Sequence, residues 1–426
     1  MSIVLHMLHR VLASRSPICY LAAPVPTAAM NLFEPRRMSI NKNQLRSLRS
    51  SIEQRQGEMI SLIKHLVAIE SPSGDVEGSR AINDLLENLA RTIPCVSSVE
   101  RIISPDFGEH LLVRAFNGIG DDHKATLLLG HTDTVHPRGT LAAHRAPRSE
   151  PDRFYGPGAF DMKASCVVAI EALRCITSHG LNPARPVTLL LTCDEEIGSA
   201  TGRPLVEREA RAAAYVLVLE PPLPGGCAKT ARKGVGQWTV AAQGIAAHAG
   251  LEPKAGASAI LELARQTQHL HSLNESTGST SFNVGLIRGG TRGNVVAAHA
   301  EMEVDVRFGT MDEAQRVVEL MNTLEPFDKR VSLTITGGIN RGPLERTAEV
   351  AGLFHRAQEI ASQLGFDLRE CSVGGASDGN FAAALNVPVL DGLGVDGDGA
   401  HAAHEHILLS DIAPRTALLA GLIATL

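Results

Sequence analysis

A chain of 426 residues exceeds one ordinary domain and can bury a large core. It is 44% hydrophobic and 20% charged with a net charge of -6, so it lacks the basic footprint of a nucleic-acid binder. No apolar run is long enough to span a bilayer, and seven cysteines without a CxxC pair argue against a thiolate zinc site or a disulfide framework. Scattered thiols of that kind fit a reducing compartment.

Residues 1–40 read as an extension apart from the fold. Met1 to Phe33 carry no acidic residue, with Arg10 and Arg15 among short apolar patches. That texture suits a targeting segment, or an extension upstream of a start at Met30 or Met38. The location expected is cytoplasmic, with export or organelle targeting left open by this segment. From Gln44 to Ile69 the pattern is helical, with Met59, Leu62, Ile63 and Leu66 on one face. Ser71-Pro72-Ser73-Gly74-Asp75 breaks it, and a second helix carries Ile82, Leu85, Leu86 and Leu89. Leu111–Val113 and Ala125–Leu129 read as buried strands, the second running into Gly130-His131-Thr132-Asp133-Thr134. Gly156 to Lys163 is a glycine-bearing loop before a helix that is apolar nearly all round and stops at Gly180. Val187–Leu191 leads into Asp194-Glu195-Glu196-Ile197-Gly198-Ser199, and Tyr215–Leu219 ends at Glu220.

Around Ala228 the texture changes. Strands are expected at Val235–Ala242, Ser281–Ile287, Ala300–Phe308 and Val331–Ile335. A helix at Ala255–Leu270 turns Ile260, Leu263, Ala264 and Leu270 inward, and another opens on a Thr310/Glu313 capping box. The order β-α-β-β-α-β is the ferredoxin-like arrangement. Strand–helix alternation then returns, with helices at Ala348–Leu364 and Pro414–Leu426. The fold class expected is α/β: a mostly parallel central sheet flanked by helices, formed by residues 41–227 and 342–426. A ferredoxin-like α+β lid or dimerisation domain, residues 228–341, is inserted into it.

His131 and Asp133, Glu195 and Glu196, and Glu220 each follow a strand. Ligands of open parallel sheets bind beyond the carboxyl ends of the strands, so these clusters can converge there. Asp161 sits in the loop before a helix, and His401 follows a Gly-rich loop after the last strand. Singly, His131 could be a core histidine, Asp161 a helix cap, Glu220 a solvated strand end, and His401 one of a group with His404 and His406. Histidines and carboxylates without cysteine suit zinc, or manganese and cobalt. Glu195 and Glu196 are adjacent, and neighbours on extended backbone point to opposite sides. One can therefore face a metal while the other handles a proton.

Seven motifs occur in order: Gly-His-Thr-Asp-Thr-Val (130–135), Gly-Pro-Gly-Ala-Phe-Asp-Met-Lys (156–163), Asp-Glu-Glu-Ile-Gly-Ser (194–199), Leu-Glu-Pro (219–221), Ala-His-Ala-Gly (247–250), Gly-Gly-Ala-Ser-Asp (374–378) and Gly-Ala-His (399–401). In this order they resemble the di-zinc aminoacylase and carboxypeptidase family, over about residues 50 to 426. That family includes acetylornithine deacetylase, succinyl-diaminopimelate desuccinylase and bacterial glutamate carboxypeptidase. Ala231-Arg232-Lys233-Gly234 and Glu252-Pro253-Lys254-Ala255-Gly256 look most like the glutamate carboxypeptidases. Glu220 resembles the deacylase and carboxypeptidase branch, since members needing a free amino terminus tend to have Asp there. Gly397-Asp398-Gly399 before His401 departs from the family's bulkier pattern, and His404 offers a second imidazole. Glu405 keeps the usual spacing from His401. Ala164-Ser165 stands where the family often has Gly-Gly.

The resemblance implies a zinc-peptidase-like fold and two divalent metals, zinc first, with cobalt or manganese as substitutes. Asp161 would bridge them, with His131 and Glu220 on one and Glu196 and His401 on the other. Asp133 would orient the His131 imidazole, and Glu195 would act as general base. His248 would stabilise the oxyanion from the partner subunit of a homodimer formed through the lid. Arg307 and Asn294 would hold substrate, Arg307 by a bidentate grip on a carboxylate, although an ion pair with Glu303 or Asp305 competes for it. Arg341, Gly374 and Gly375 are further candidates for that grip.

The function expected is a metallohydrolase that cleaves an amide beside a free carboxylate, as a glutamate-type carboxypeptidase does. The alternatives are an N-acyl-amino-acid deacylase of the acetylornithine type and an inactive metal-binding relative. The partners expected are a small-molecule or peptide substrate and a second subunit, with neither nucleic acid nor membrane.

Overall fold

The computed structural model describes residues 40–118, 124–143, 147–274 and 278–426. The expected extension therefore lies outside the described residues up to position 39. Helix α1 (Lys42–Val67) opens on a capping box formed by Asn41 and Gln44, and it buries Leu45, Leu48, Ile52, Met59, Ile63 and Leu66 along one stripe. Asp75 caps α2 (Val76–Arg91) by accepting from the Gly78 N–H. Then come β1 (Val96–Ser104), β2 (Gly108–Ala115), β3 (Ala125–His131), α3 (Thr140–Ala143), β4 (Arg148–Glu150) and β5 (Arg153–Tyr155). Helix α4 (Ala164–Ser178), β6 (Val187–Thr192), α5 (Gly202–Arg211), β7 (Ala213–Val218) and β8 (Ala228–Arg232) follow. The next stretch holds β9 (Gly234–Gln243), α6 (Ala259–Leu273), β10 (Ser281–Gly289), β11 (His299–Phe308), α7 (Met311–Asn322) and β12 (Ser332–Arg341). Last are α8 (Ala348–Leu364), β13 (Glu370–Val373), α9 (Gly379–Ala383), β14 (Val389–Leu390), β15 (Gly397–Asp398), β16 (His406–Leu408) and α10 (Ile412–Thr425).

The central sheet has the order β1-β2-β6-β3-β7-β14. Strands β6, β3, β7 and β14 pair in parallel, while β1 and β2 form an antiparallel edge. β1 is an edge strand that the sequence reading missed, because its exposed positions blur the apolar signal. β6 is buried at every position and β3 at all but its first, which explains their unbroken runs of leucine. Helix α4 packs against α1, α10 and β3 and is apolar nearly all round for that reason.

The second sheet has the order β10-β11-β9-β12 with every pairing antiparallel, and α6 and α7 cover one face. This is the ferredoxin-like arrangement expected. Its core is its own, built on Trp238, Val240, Leu263, Phe282, Met302, Val304, Val306, Phe308 and Met321. Two details differ from expectation. The sheet begins at Gly234, because β8, inside the expected 228–341 block, pairs in parallel with β13 instead. On α6 the inward face is Ala259, Glu262, Leu263, Gln266 and Leu270, whereas Ile260 is 43% exposed and Ala264 also lies outside. The helix is turned this way because the Glu262 carboxylate accepts from the Phe327 and Asp328 N–H groups and from the Gln266 amide.

Candidate active site

Parallel pairing brings the strand ends level. His131 lies opposite Thr192, and the Leu219 N–H bonds to the Leu129 carbonyl at 2.8 Å, which sets Glu220 beside the end of β3. His131 Nε2 lies 3.2 Å from Asp161 Oδ1 and 3.5 Å from Glu220 Oε1. His401 Nε2 lies 3.3 Å from Asp161 Oδ2 and 3.1 Å from Glu196 Oε2. Asp161 thus gives one oxygen to each histidine, and the two groups share it. Within each group the candidate ligand atoms lie within 4.8 Å of one another. Gly158, three residues before Asp161, has φ +71°, and a Cβ there would come 2.6 Å from Thr134 Cγ2. His401 itself has φ +63°, an uncommon backbone for a side chain of its size.

Three carboxylates crowd two imidazoles here, so the cluster calls for positive charge. Without metal, protons supply it. Burial works against a charged His131, but hydrogen bonds with Asp133, Asp161 and Glu220 raise its pKa well above the usual value. Hydrogen bonds to Asp161 and Glu196 push His401 up to about 10. Burial would raise Asp161, yet the two histidines hold it well below the usual carboxylate range. Glu196 Oε1 is buried with no hydrogen-bond partner among the described residues. An orphaned carboxylate oxygen within a histidine–carboxylate set fits two cations sharing Asp161. His131 Nδ1 lies 2.9 Å from the Asp133 carbonyl, so that nitrogen donates and Nε2 is the one left to bind.

The turn after β6 is not extended as expected. Glu195–Ile197 is a 3₁₀ turn, in which successive side chains diverge by about 120° rather than opposing one another. The outcome is still two directions: Glu196 faces His401, and Glu195 faces Arg341 at 3.3 Å. Burial, then the charges of Asp378 and Glu220, raise the Glu195 pKa well above the usual value, with Arg341 opposing them. The Asp133 carboxylate lies 3.4 Å from His131 Nδ1 and also accepts from the N–H groups of Glu195 and Glu196, at 3.2 and 3.1 Å. Ser73 Oγ donates to it at 2.7 Å. Asp133 therefore ties the turn to the end of β3 as well as touching the imidazole. A third grouping, His110, Cys193 and Asp194, lies under the same turn. Its atoms are engaged: Asp194 accepts from the Thr201 and Gly202 N–H groups, and His110 Nδ1 from the Cys193 N–H.

Several of these partners were not expected from sequence. The Arg341 guanidinium is held by Glu195, Ser199 Oγ at 2.7 Å and Asp378 Oδ1 at 2.9 Å, which leaves it engaged rather than open to a substrate carboxylate. Arg232 pairs with Asp391 at 2.6 Å and lies 3.5 Å from Glu220 Oε2. Lys229 is 8% exposed, feels the charges of Glu220 and Asp161, and has no side-chain hydrogen-bond partner among the described residues. Gly374 and Gly375 lie exposed, and added Cβ atoms would meet nothing within 4 Å. Gly375 gives its carbonyl to Arg232 at 3.2 Å.

Of the insert's candidates only Arg341 contacts Glu195 among the described residues, and His248, Asn294 and Arg307 have their polar partners within the insert. His248 and Asn294 are both exposed and side by side, joined by an Ala249 N–H to Asn294 carbonyl bond of 3.0 Å. The N–H groups of Gly250 and Leu251 donate to His248 Nδ1, so its proton sits on Nε2. Arg307 pairs with Asp305 at 2.8 and 3.0 Å, the internal ion pair that competes with substrate binding. Strand register sets Arg307, Val235 and Arg341 abreast across three strands.

Residues 127–425 match the family described as Peptidase family M20/M25/M40. The chain belongs to that family. Carboxypeptidase G2 of Pseudomonas sp. (strain RS-16) is 29% identical over 384 residues, covering 87% of this chain and 90% of that protein. Succinyl-diaminopimelate desuccinylase of Delftia acidovorans (strain DSM 14801 / SPH-1) is 27% identical over 382 residues, covering 83% and 94%. The aminopeptidase PepT structure from Bacillus cereus ATCC 10987 superposes with a TM-score of 0.73 at 21% identity, over 87% of this chain and 98% of that one, a likeness of fold. As a member of family M20 the chain is a hydrolytic enzyme of the metallopeptidase kind.

Proposed function

We propose that this enzyme is a dinuclear amidohydrolase that removes a terminal amino acid bearing a free carboxylate, glutamate first, in the manner of a glutamate carboxypeptidase. The reading is carried by one observation: His131 and His401 each meet one oxygen of Asp161, with Glu220 beside the first and Glu196 beside the second. Those five residues would hold two divalent cations, zinc by preference and cobalt or manganese as substitutes. When bound, such a pair acidifies water and polarises a carbonyl.

Glu195 takes the proton from the attacking water and returns it to the leaving amine. Its burial, with the charges of Asp378 and Glu220, raises its pKa and so strengthens it as a base. Asp133 holds the turn by its N–H groups, so Glu195 and Glu196 keep their separate directions. His248 donates from Nε2 to the developing oxyanion across a homodimer interface. Exposed Leu251, Ile260, Leu261, Leu286 and Ile287, the last two on edge strand β10, support self-association through the insert. A monomer mass by light scattering at micromolar concentration would remove that part.

The carboxylate preference is supported by buried Lys229 on the strand after Glu220, with Arg232, already paired to Asp391, beside it. Arg307 joins them if substrate displaces Asp305. A cytoplasmic setting is supported by the unpaired thiols of Cys95, Cys166, Cys175, Cys193 and Cys371 among the described residues. The second reading, an N-acyl-amino-acid deacylase, draws support from the desuccinylase likeness. One panel separates the two: metal-reconstituted enzyme is offered peptidyl- and aryl-glutamates beside N-acetylated and N-succinylated amino acids, with products identified by mass. Faster release of glutamate supports the carboxypeptidase reading, and preference for acyl substrates reverses it. Stoichiometric metal with no turnover of either class would indicate an inactive metal-binding relative.

A further inference from the structure

We infer that Glu405 is a positioning residue for the metal centre, because its carboxylate holds the loop that presents Asp161. This rests on the dinuclear reading above. Glu405 is 2% exposed. One of its oxygens accepts from the N–H groups of Phe160 and Asp161, both at 2.9 Å. The other accepts from the Gly158 N–H at 2.8 Å and from His136 Nε2 at 2.7 Å. Its own backbone carbonyl accepts from the Gly156 N–H at 3.1 Å.

Each segment in this knot carries a candidate ligand. His136 follows His131 on the loop after β3, the amides belong to the loop of Asp161, and Glu405 follows His401. One buried side chain therefore ties together three segments that must keep their ligand atoms within reach of a shared ion. The four donors meet no other acceptor among the described residues, and a carboxylate offers lone pairs on both oxygens. A glutamine amide would turn its NH₂ toward two of those donors. Gly158, Phe160 and Asp161 lie in the glycine-bearing loop before α4, and Glu405 gives their N–H groups an acceptor.

The test is Glu405→Gln, compared with wild type for uptake of Zn²⁺ and Co²⁺ in competition with a chromophoric chelator, and for the visible absorption of the Co²⁺ form. The expected result is metal affinity lower by about 10–100-fold, the usual range for a lost supporting contact to a ligand, with an altered Co²⁺ spectrum. kcat falls in parallel while KM stays close to wild type. A folded Glu405→Gln that binds metal with wild-type affinity and spectrum would overturn the inference, even with lowered thermal stability, because a merely structural brace predicts that pattern. If Glu405→Gln does not fold, His136→Ala decides, since it removes one of the four bonds: a smaller loss of affinity supports the inference and an unchanged affinity overturns it. Failure of wild type to take up either metal would instead refute the dinuclear reading itself.

Discussion

The α/β body and the inserted domain both carry residues that the chemistry needs, but they hold them differently. In the body, His131, Asp133, Glu195 and Glu220 are nearly buried, and each touches several fixed partners. In the insert, His248 and Asn294 are exposed on two loops that bond to each other, and Arg307 is turned to Asp305. The body's candidate residues are therefore preorganised, whereas in the proposed reading those of the insert act only once a substrate or a second subunit meets them. Rigidity follows from the source of the side chains: strand ends in a packed parallel sheet on one side, surface loops on the other.

Substitutions on each side sharpen this contrast. Glu195→Gln removes the proposed base while keeping its shape, and kcat is expected to fall by about 10²–10⁴-fold with metal content unchanged by elemental analysis. Loss of bound metal would contradict the base assignment and make Glu195 part of the ligand set. His248→Ala is expected to lower kcat by about 10²–10³-fold, the usual scale for a lost oxyanion donor, with an unaltered thermal midpoint because the side chain is exposed. A shifted midpoint with intact kcat would place His248 with the structural residues and erase the distinction between the regions.

The smallest expected effect is one of pH. In metal-free protein His401 holds its proton up to about 10. Its folded pKa is raised, so the stability it contributes is complete below its ordinary pKa and fades as pH rises through about 10. Metal must displace that proton and the one on His131, so uptake releases up to about two protons near neutrality and affinity rises with pH. Calorimetry in buffers of differing ionisation enthalpy measures the release. A metal-binding enthalpy independent of buffer would show that the histidines are already neutral.

Much of the body was legible from sequence because its signals are local. Buried parallel strands show as leucine runs, and His131, Glu196 and Glu220 stand directly after them. Asp161 and His401 stood out only by their glycine-bearing loops, and their roles in the ligand set came through motif resemblance. What escaped was long-range pairing. Asp378, 37 residues beyond Arg341, and Asp391, 159 beyond Arg232, meet their partners only through folding. Glu405 showed only as a spacing, since nothing local reveals three amides waiting 245 residues upstream. The rotated face of α6 was hidden for a related reason: a glutamate at the core-facing position reads as polar until the amides of Phe327 and Asp328 are seen beneath it.

Arg341 is the last residue of β12, at the point where the chain leaves the insert, and its guanidinium rests against Glu195. The exit strand of one region therefore also supplies the counter-charge to the carboxylate proposed as the other region's base. A swing of the insert about its two connecting strands would carry a cation toward or away from a buried carboxylate. Opening and closing would then be felt at Glu195 as a change in basicity, so the angle between the regions and the readiness of the base form a single coordinate.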